Sequence, residues 1–376
     1  MNSRVEISRA NLLHNLSLFE SLLNSSQKIA CVLKSNAYGH GISEIYQILE
    51  EAGKDSLLAV NSVEEALYLR NQKAHSGEIV IMGEIPNYPS LHKELADSRF
   101  WIISSRLDQL RFYDSLNPSP KLHLKVDTGM GRLGARVEDV ENILEVCKLE
   151  KITLSGICTH FASTEDFQEY TYTHKQFDSF LGVIKTAKDL EFSNLIRHCA
   201  SSAATMLFPE TRLDVVRIGI SLYGLWPSEI TRRSVLQALG KDFELKPVLS
   251  WKTQVQHLQT VPKDSFIGYG STYKTTRETK LAVLPVGYFE GIDRSLSNNG
   301  YFLVKGQRAK ILGRICMNMT MIDVTDIPDV GLGEEVTLIG RNGDEFLSAD
   351  SIAQWANTIN YEIVTRIQED IPRIIV

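Results

Sequence analysis

Between residue 28 and about residue 220, short and nearly continuous apolar runs alternate with longer stretches of helical periodicity. The short runs are KIACVLK (28–34), LLAV (57–60), EIVIM (78–82), RFWII (99–103), KLHLKV (121–126), TLSGIC (153–158), SNLIRHC (193–199) and DVVRIGI (214–220). Runs without polar alternation suit strands buried on both faces, as in a parallel sheet covered by helices. The gaps read as helices. Ser62 and Glu65 have the spacing of a capping box, residues 137–148 form another amphipathic segment, and upstream Leu12, Leu16, Phe19 and Leu23 share one helical face. Eight strands alternating with helices within ~250 residues predict a (β/α)8 barrel.

After about residue 240 the rhythm changes. Segments 250–260, 281–287, 301–304, 309–316, 319–324 and 335–340 read as strands with almost no helix between them, apart from one helix at about 349–358. Asn299-Gly300 and Asn342-Gly343 have the composition of tight hairpin turns. The expected organisation is a barrel over 1–240 and a mainly β C-terminal domain over 241–376, joined within 230–247, where LGKDFELKP loses apolar periodicity.

Composition narrows the function. With 376 residues, 43% of them hydrophobic, the chain can bury a large core without disulfides or a structural metal. Forty basic and 46 acidic residues give a net charge of −6, which argues against a general nucleic-acid or anionic-membrane binder. The longest apolar stretches, such as LAVLPVGYF (281–289), are strand-sized and too short to span a membrane as a helix. The N-terminal MNSRVEISRANL is too charged for a secretion signal. Five cysteines, none in a C-x-x-C pair, argue against a disulfide framework or zinc site and make a reducing cytoplasm the expected compartment.

A barrel builds its chemistry at the C-terminal ends of its strands. At those ends this sequence places Lys34, Lys125 with Asp127 and the TGMGRLG loop, Thr159-His160, His198 with Ser201-Ser202, and Arg217-Ile218-Gly219. Any one of these has an ordinary structural reading, a strand-end lysine most often being a solvated or salt-bridged terminus. Convergence from five strands is what suggests a site. Ser202 and the backbone N–H groups around Gly219-Ile220 have the small residues a phosphate cradle needs. A lysine at the same mouth can form a Schiff base with a carbonyl group. Phosphate plus aldehyde describes pyridoxal 5′-phosphate (PLP), with a barrel without cofactor as an alternative that the residues alone leave open.

The segment ACVLKSNAYGHG (30–41) closely resembles the PLP attachment site of alanine racemases. The resemblance continues in the family's order through HLKVDTGMGRLG (123–134), GICTHFA (156–162), VRIGISLYG (216–224), GYGSTY (268–273), GRICMNM (313–319) and INYEI (359–363). It implies that Lys34 holds PLP and acts as one acid/base, and that Tyr269 is the second, on the opposite face. Racemisation needs two, because the α-proton leaves one face and returns to the other. Lysine and tyrosine ordinarily ionise near ~10.4 and ~10, so neighbouring cations must help both act as bases near neutral pH. His160 and Arg217 resemble the residues hydrogen-bonded toward that tyrosine. Arg217 also matches the arginine facing the pyridine nitrogen; it cannot release its proton, which leaves the ring a weaker electron sink and favours reprotonation.

By the same resemblance, Tyr38, Ser201, Ser202, Gly219, Ile220 and Tyr361 contact the phosphate. Ser201 stands where relatives more often have asparagine. Arg132 and the Met317 N–H match the groups that hold the substrate carboxylate, and a guanidinium gives that carboxylate a bidentate partner. Lys125 matches a lysine that in some relatives carries an N-carboxylate and orients the arginine. Tyr288 and Tyr361 resemble the pair narrowing the substrate entrance, a constriction suited to a methyl side chain. Around Tyr288 the chain reads GYFEGIDRSL, so that Phe289 and Glu290 replace a smaller residue and aspartate, and Asn318 replaces a frequent aspartate. The resemblance further implies a head-to-tail homodimer with shared sites, an amino acid substrate, no metal, and a role supplying D-alanine for peptidoglycan. The competing outcomes on this fold are a broad-specificity or serine racemase, a decarboxylase, which Arg217 argues against, and a barrel-only PLP carrier, which the C-terminal domain argues against.

Overall fold

The computed structural model describes residues 3–85, 91–165, 170–240 and 243–376, so Lys241 and Asp242, within the expected junction, lie outside the described residues. The chain forms two compact units that interleave along the sequence: Leu13–Lys34 with Tyr46–Lys246, and Met1–Leu12 with Ser35–Ile45 and Pro247–Val376. Among the described residues no helix is long and apolar enough to cross a membrane.

After β1 (Ser3–Ile7), a strand of the second unit, the strands of the first are β2 (Lys28–Val32), β3 (Leu57–Val60), β4 (Glu78–Ile81), β5 (Phe100–Ser104), β6 (Lys121–Asp127), the two-residue β7 (Ala135–Arg136), β8 (Leu154–Cys158), β9 (Ile196–His198) and β10 (Val215–Ile218). Their order is β10-β2-β3-β4-β5-β6-β8-β9, all parallel, with β7 appended to β6. The barrel is nearly closed. Asp214 N–H donates to the Arg197 carbonyl at 3.1 Å and Arg217 N–H to the Ala200 carbonyl at 3.0 Å across the remaining gap. All eight expected strands are present, and every residue of β3 and β5 is buried, as strands covered on both faces must be. The Ser62–Glu65 capping box is formed in both directions at the start of the helix Val63–Leu67. Residues 137–148 fall in a 3-10 turn (Val137–Asp139) and the helix Val140–Glu150. The first helix, Arg9–Glu20, buries Leu12, Leu16 and Phe19 but ends before Leu23.

The second unit carries β11 (Leu249–Gln254), β12 (His257–Val261), β13 (Phe266–Ile267), β14 (Tyr273–Lys274), β15 (Thr279–Leu284), β16 (Tyr301–Val304), β17 (Gln307–Lys310), β18 (Thr320–Asp323), β19 (Glu335–Asn342), β20 (Glu345–Leu347) and β21 (Arg373–Ile375). One sheet runs β17-β16-β19-β11-β1-β21 with β20 on β19, a second is β12-β15-β18, and β13 pairs β14. Several expectations are corrected here. Residues 250–260 are two strands, because β11 joins the large sheet and β12 the small one. The run 309–316 is strand only to Lys310, beyond which Ile311 makes an isolated bridge to Ile322. Asn299-Gly300 is not a hairpin; it follows the 3-10 turn Arg294–Leu296 and leads into β16. The β16–β17 hairpin turns at Lys305-Gly306, both at positive φ, while Asn342-Gly343 does open the β19–β20 hairpin. Asn360–Thr365 adds a helix after Ala349–Ala356.

Within this unit the chain after Lys34 makes a left-handed turn. Ser35, Asn36, Ala37 and Tyr38 all have φ between 52 and 55°. Each such residue costs an L-amino acid about 1–2 kcal/mol, so the turn persists only because its surroundings hold it. Gly39 packs so closely that a Cβ would lie 2.0 Å from the Val364 carbonyl oxygen, and Arg373 Nη2 donates to the Gly39 carbonyl at 3.0 Å. Asn36 Oδ1 accepts the Ile42 N–H at 2.8 Å, at the start of the helix Ile42–Glu51. Asn36→Ala therefore loses both a helix cap and a residue tolerant of positive φ. It is expected to lower the unfolding free energy by about 1–2 kcal/mol in urea denaturation.

Candidate active site

In the barrel unit the strands bring Lys34, Lys125, Arg132, His160 and Arg217 into one electrostatic neighbourhood. The Lys34 amine is pushed below the ordinary lysine value, first by burial and then by the charges of Arg132 and Arg217, with Glu65 and Glu165 opposing. Burial also lowers Lys125, with Arg217 and Arg132 adding to it and Cys158 and Asp127 opposing. His160 is held well below the usual histidine range by burial and then by Arg217, Lys125, Arg132 and Lys34. Four cationic side chains at one strand-end mouth make a poor empty pocket and a good seat for an anion.

Arg217 is buried and splayed between its neighbours. Its Nη2 donates to the carbonyls of Thr159 (3.0 Å) and Cys199 (3.1 Å) and lies 3.3 Å from His160 Nδ1, while Nη1 donates to His198 Nδ1 at 2.7 Å. A guanidinium only donates, so His198 Nδ1 is an acceptor and its proton sits on Nε2. That Nε2 donates in turn to His123 Nδ1 at 3.0 Å. Both imidazoles are therefore neutral, in keeping with burial that pushes His123 down to about 3 and, with the Arg217 charge, carries His198 well below its usual range.

His123 escaped the sequence reading. It stacks on Trp101 at 4.6 Å and fits only because its register partner on β8 is Gly156, where a Cβ would lie 2.3 Å from the ring. The signal was present: His123 and Lys125 stand two apart on β6 and so share its face.

The loop after β6 is built on Asp127. Its Oδ1 accepts the N–H groups of Gly129, Met130 and Gly131, and its Oδ2 accepts that of Arg132. Burial would raise the Asp127 carboxyl, but these four bonds outweigh it and hold the group ionised below its usual value. The backbone of Arg132 is thereby fixed while its side chain stays exposed. Across β9 and β10, Ser202 Oγ accepts the Gly219 N–H at 2.9 Å, joining the start of the helix Ser202–Leu207 to the turn Ile220–Tyr223. The first N–H groups of both elements lack intrahelical partners by construction. Ser201 is the extended N-cap residue of that helix, and its side chain makes no capping bond.

In the second unit Tyr38 and Tyr361 face each other with ring centroids 6.2 Å apart. The turns that carry Tyr269 and Tyr288 both pack on the segment 313–319, which contains Met317. Gly270 sits against the Arg314 guanidinium, where a Cβ would be 2.9 Å from Nη1, and Tyr288 N–H donates to the Cys316 carbonyl at 3.1 Å. All three side chains are exposed, Tyr269 at 71%.

The fold is a (β/α)8 barrel that gathers a half-buried lysine amine and further cationic side chains at the C-terminal ends of its strands, the layout of a barrel enzyme. The family model for the alanine racemase N-terminal domain matches residues 7–227, and that for the C-terminal domain matches 248–375. The chain belongs to the alanine racemase family. It is 52% identical to an alanine racemase of Leptospira interrogans, over all of this chain and 96% of that one. It is 42% identical to one from Halothermothrix orenii, over 99% and 98%. Among solved structures it resembles the Bacillus anthracis alanine racemase with bound L-Ala-P (TM-score 0.89, 34% identity, 100% of this chain and 95% of that chain) and that of D-cycloserine-producing Streptomyces lavendulae (TM-score 0.89, 29% identity, 100% and 97%).

Proposed function

We propose that this chain interconverts L- and D-alanine with PLP as cofactor, Lys34 and Tyr269 acting as acid/base groups on opposite faces. The observation that carries the reading is the half-buried Lys34 amine, lowered first by burial and then by the charges of Arg132 and Arg217. This donor set suits a phosphate-bearing aldehyde: a nucleophilic amine, a donor-only guanidinium for the ring nitrogen, and for phosphate the Ile220 N–H with the Ser202 hydroxyl and the Gly219 N–H, which are bonded to each other at 2.9 Å and would turn to the phosphate together. Tyr38 and Tyr361 add to the phosphate contacts, with Ser201 beside them. When bound, the cofactor supplies the electron sink that acidifies the substrate α-carbon. Because Arg217 keeps its proton, the sink is mild and a proton removed by one base is readily returned by the other. Arg132 and the Met317 N–H hold the substrate carboxylate, and Tyr288 and Tyr361 limit the side chain. The working form is a homodimer with shared sites in the cytoplasm, supplying D-alanine for peptidoglycan. A chiral assay across alanine, serine and larger amino acids tests this; faster racemisation of bulky or basic amino acids than of alanine would overturn it.

Two expectations follow from the cations. Only the neutral amine captures an aldehyde, and its fraction grows as pH rises through the amine pKa. Since Lys34 lies below the ordinary 10.5, PLP uptake by apoenzyme should accelerate with a midpoint below that pH, followed by absorbance. Lys125, pushed toward its neutral form and forming no hydrogen bond or ion pair among the described residues, is the candidate for N-carboxylation. Labelled bicarbonate should give a carbamate carbon resonance that Lys125→Ala abolishes; the same signal in that variant would exclude this site.

A further inference from the structure

Two loops of the second unit carry groups assigned above to the substrate: 287–290, with Tyr288, and 316–318, with the Met317 N–H. Backbone bonds run between them, Tyr288 N–H to the Cys316 carbonyl at 3.1 Å and Phe289 N–H to the Met317 carbonyl at 2.9 Å. Gly287 packs so tightly that a Cβ would lie 2.2 Å from the Cys316 oxygen and 2.5 Å from that of Met317. Glu290 closes the arrangement. Its Oε2 accepts the Gly287 N–H at 2.7 Å, its Oε1 accepts Asn318 Nδ2 at 2.7 Å, and its own carbonyl accepts the Gln368 N–H at 3.1 Å.

An ionised carboxylate only accepts. With one oxygen committed to Gly287, the other requires a donor from residue 318. Asparagine supplies it, whereas aspartate would set two carboxylates face to face, and one would have to take a proton or swing away. Glu290 and Asn318, which looked like two separate departures from the commoner pattern, are therefore one matched pair. Asn318 directly follows Met317, and Glu290 lies two residues after Tyr288.

We propose that Glu290 and Asn318 form a side-chain clasp that fixes the spacing between Tyr288 and the Met317 N–H, making both of them positioning residues for substrate selection. The clasp's effect on substrate rests on the reading that Met317 and Tyr288 face it. Its existence does not.

The test is a polarity swap in the holoenzyme, comparing wild type, N318D, E290Q and E290Q/N318D. In the double variant the new amide at position 290 keeps an oxygen for Gly287 and turns its NH₂ toward the new carboxylate at position 318. The bond is thus restored in reverse at the native net charge. N318D is expected to raise the alanine KM about five- to tenfold with kcat within about twofold, and E290Q to raise it about threefold, the range of one charge-assisted hydrogen bond. The double variant returns KM, and the alanine-to-serine ratio of kcat/KM, to within about twofold of wild type. Amide hydrogen exchange across 287–290 and 316–319 should quicken in N318D and return in the double variant, whatever the substrate. Single effects that multiply in the double variant, in exchange or in KM, would overturn the clasp. Restored exchange with KM flat across all four forms would overturn instead the assignment of Tyr288 and Met317 to the substrate.

Discussion

Lys34→Ala is expected to cut racemisation by at least about 10³-fold, the scale of losing a nucleophile and an acid/base group together, and to abolish the yellow absorbance of bound PLP. Stability should move the other way. The Lys34 amine is half-buried within reach of the Arg132 and Arg217 charges, and burial is the largest influence on it. Removing it relieves a desolvation cost that its function requires, so the apparent melting temperature of the apoprotein should hold or rise. Activity above about a tenth of wild type would show that the essential amine lies elsewhere, with Lys125 the next candidate.

Tyr269→Phe is expected to be nearly as damaging, about 10²–10⁴-fold in both directions of the reaction, while leaving the fold unaltered. Its side chain is exposed and its hydroxyl has no hydrogen bond among the described residues of this chain, so no buried partner is orphaned by the change. An exposed ring held on a tight turn, with Gly268 and Gly270 both at positive φ, suits a group presented to a second copy. Mixing Lys34→Ala with Tyr269→Phe and allowing the dimers to re-form should recover activity, because each hybrid would hold one site with both groups intact. No recovery in demonstrated hybrids would count against sharing.

The barrel was readable because parallel strands have no solvent face. β3, for instance, is four buried residues between turns, and helical stretches separate such runs. Lys34, Arg217 and Lys125 were visible as polar residues ending apolar runs. Other features were hidden for identifiable reasons. β1 and β21 are short, and their strand character depends on each other and on β11, partners far away in the sequence. Asn299-Gly300 has hairpin composition, but composition does not say whether a strand precedes it; here a 3-10 turn does. The left-handed turn from Ser35 to Tyr38 contradicts local preference at Ala37 and Tyr38 and is held by Gly39 and Arg373, a contact no local reading reaches. Glu290 and Asn318 were legible one at a time but not as a pair.

The pairing of β1 carries a consequence for how the molecule is made. Val5 lies beside Trp251 on one edge and Arg373 on the other, so β1 precedes the barrel strands in the sequence but finds its first neighbour only in β11, which follows them. The eight barrel strands, Lys28 to Ile218, are complete well before that. During synthesis the barrel can therefore begin to assemble while β1 trails as an unpaired edge. The large sheet of the second unit is complete only once β21 has been made, whereas Tyr269 and Tyr288 flank strands of the two smaller sheets, β13 with β14 and β12-β15-β18, which are finished earlier. An order of assembly is thus written into the chain: the lysine's scaffold first, the tyrosines' sheets next, and the large sheet last.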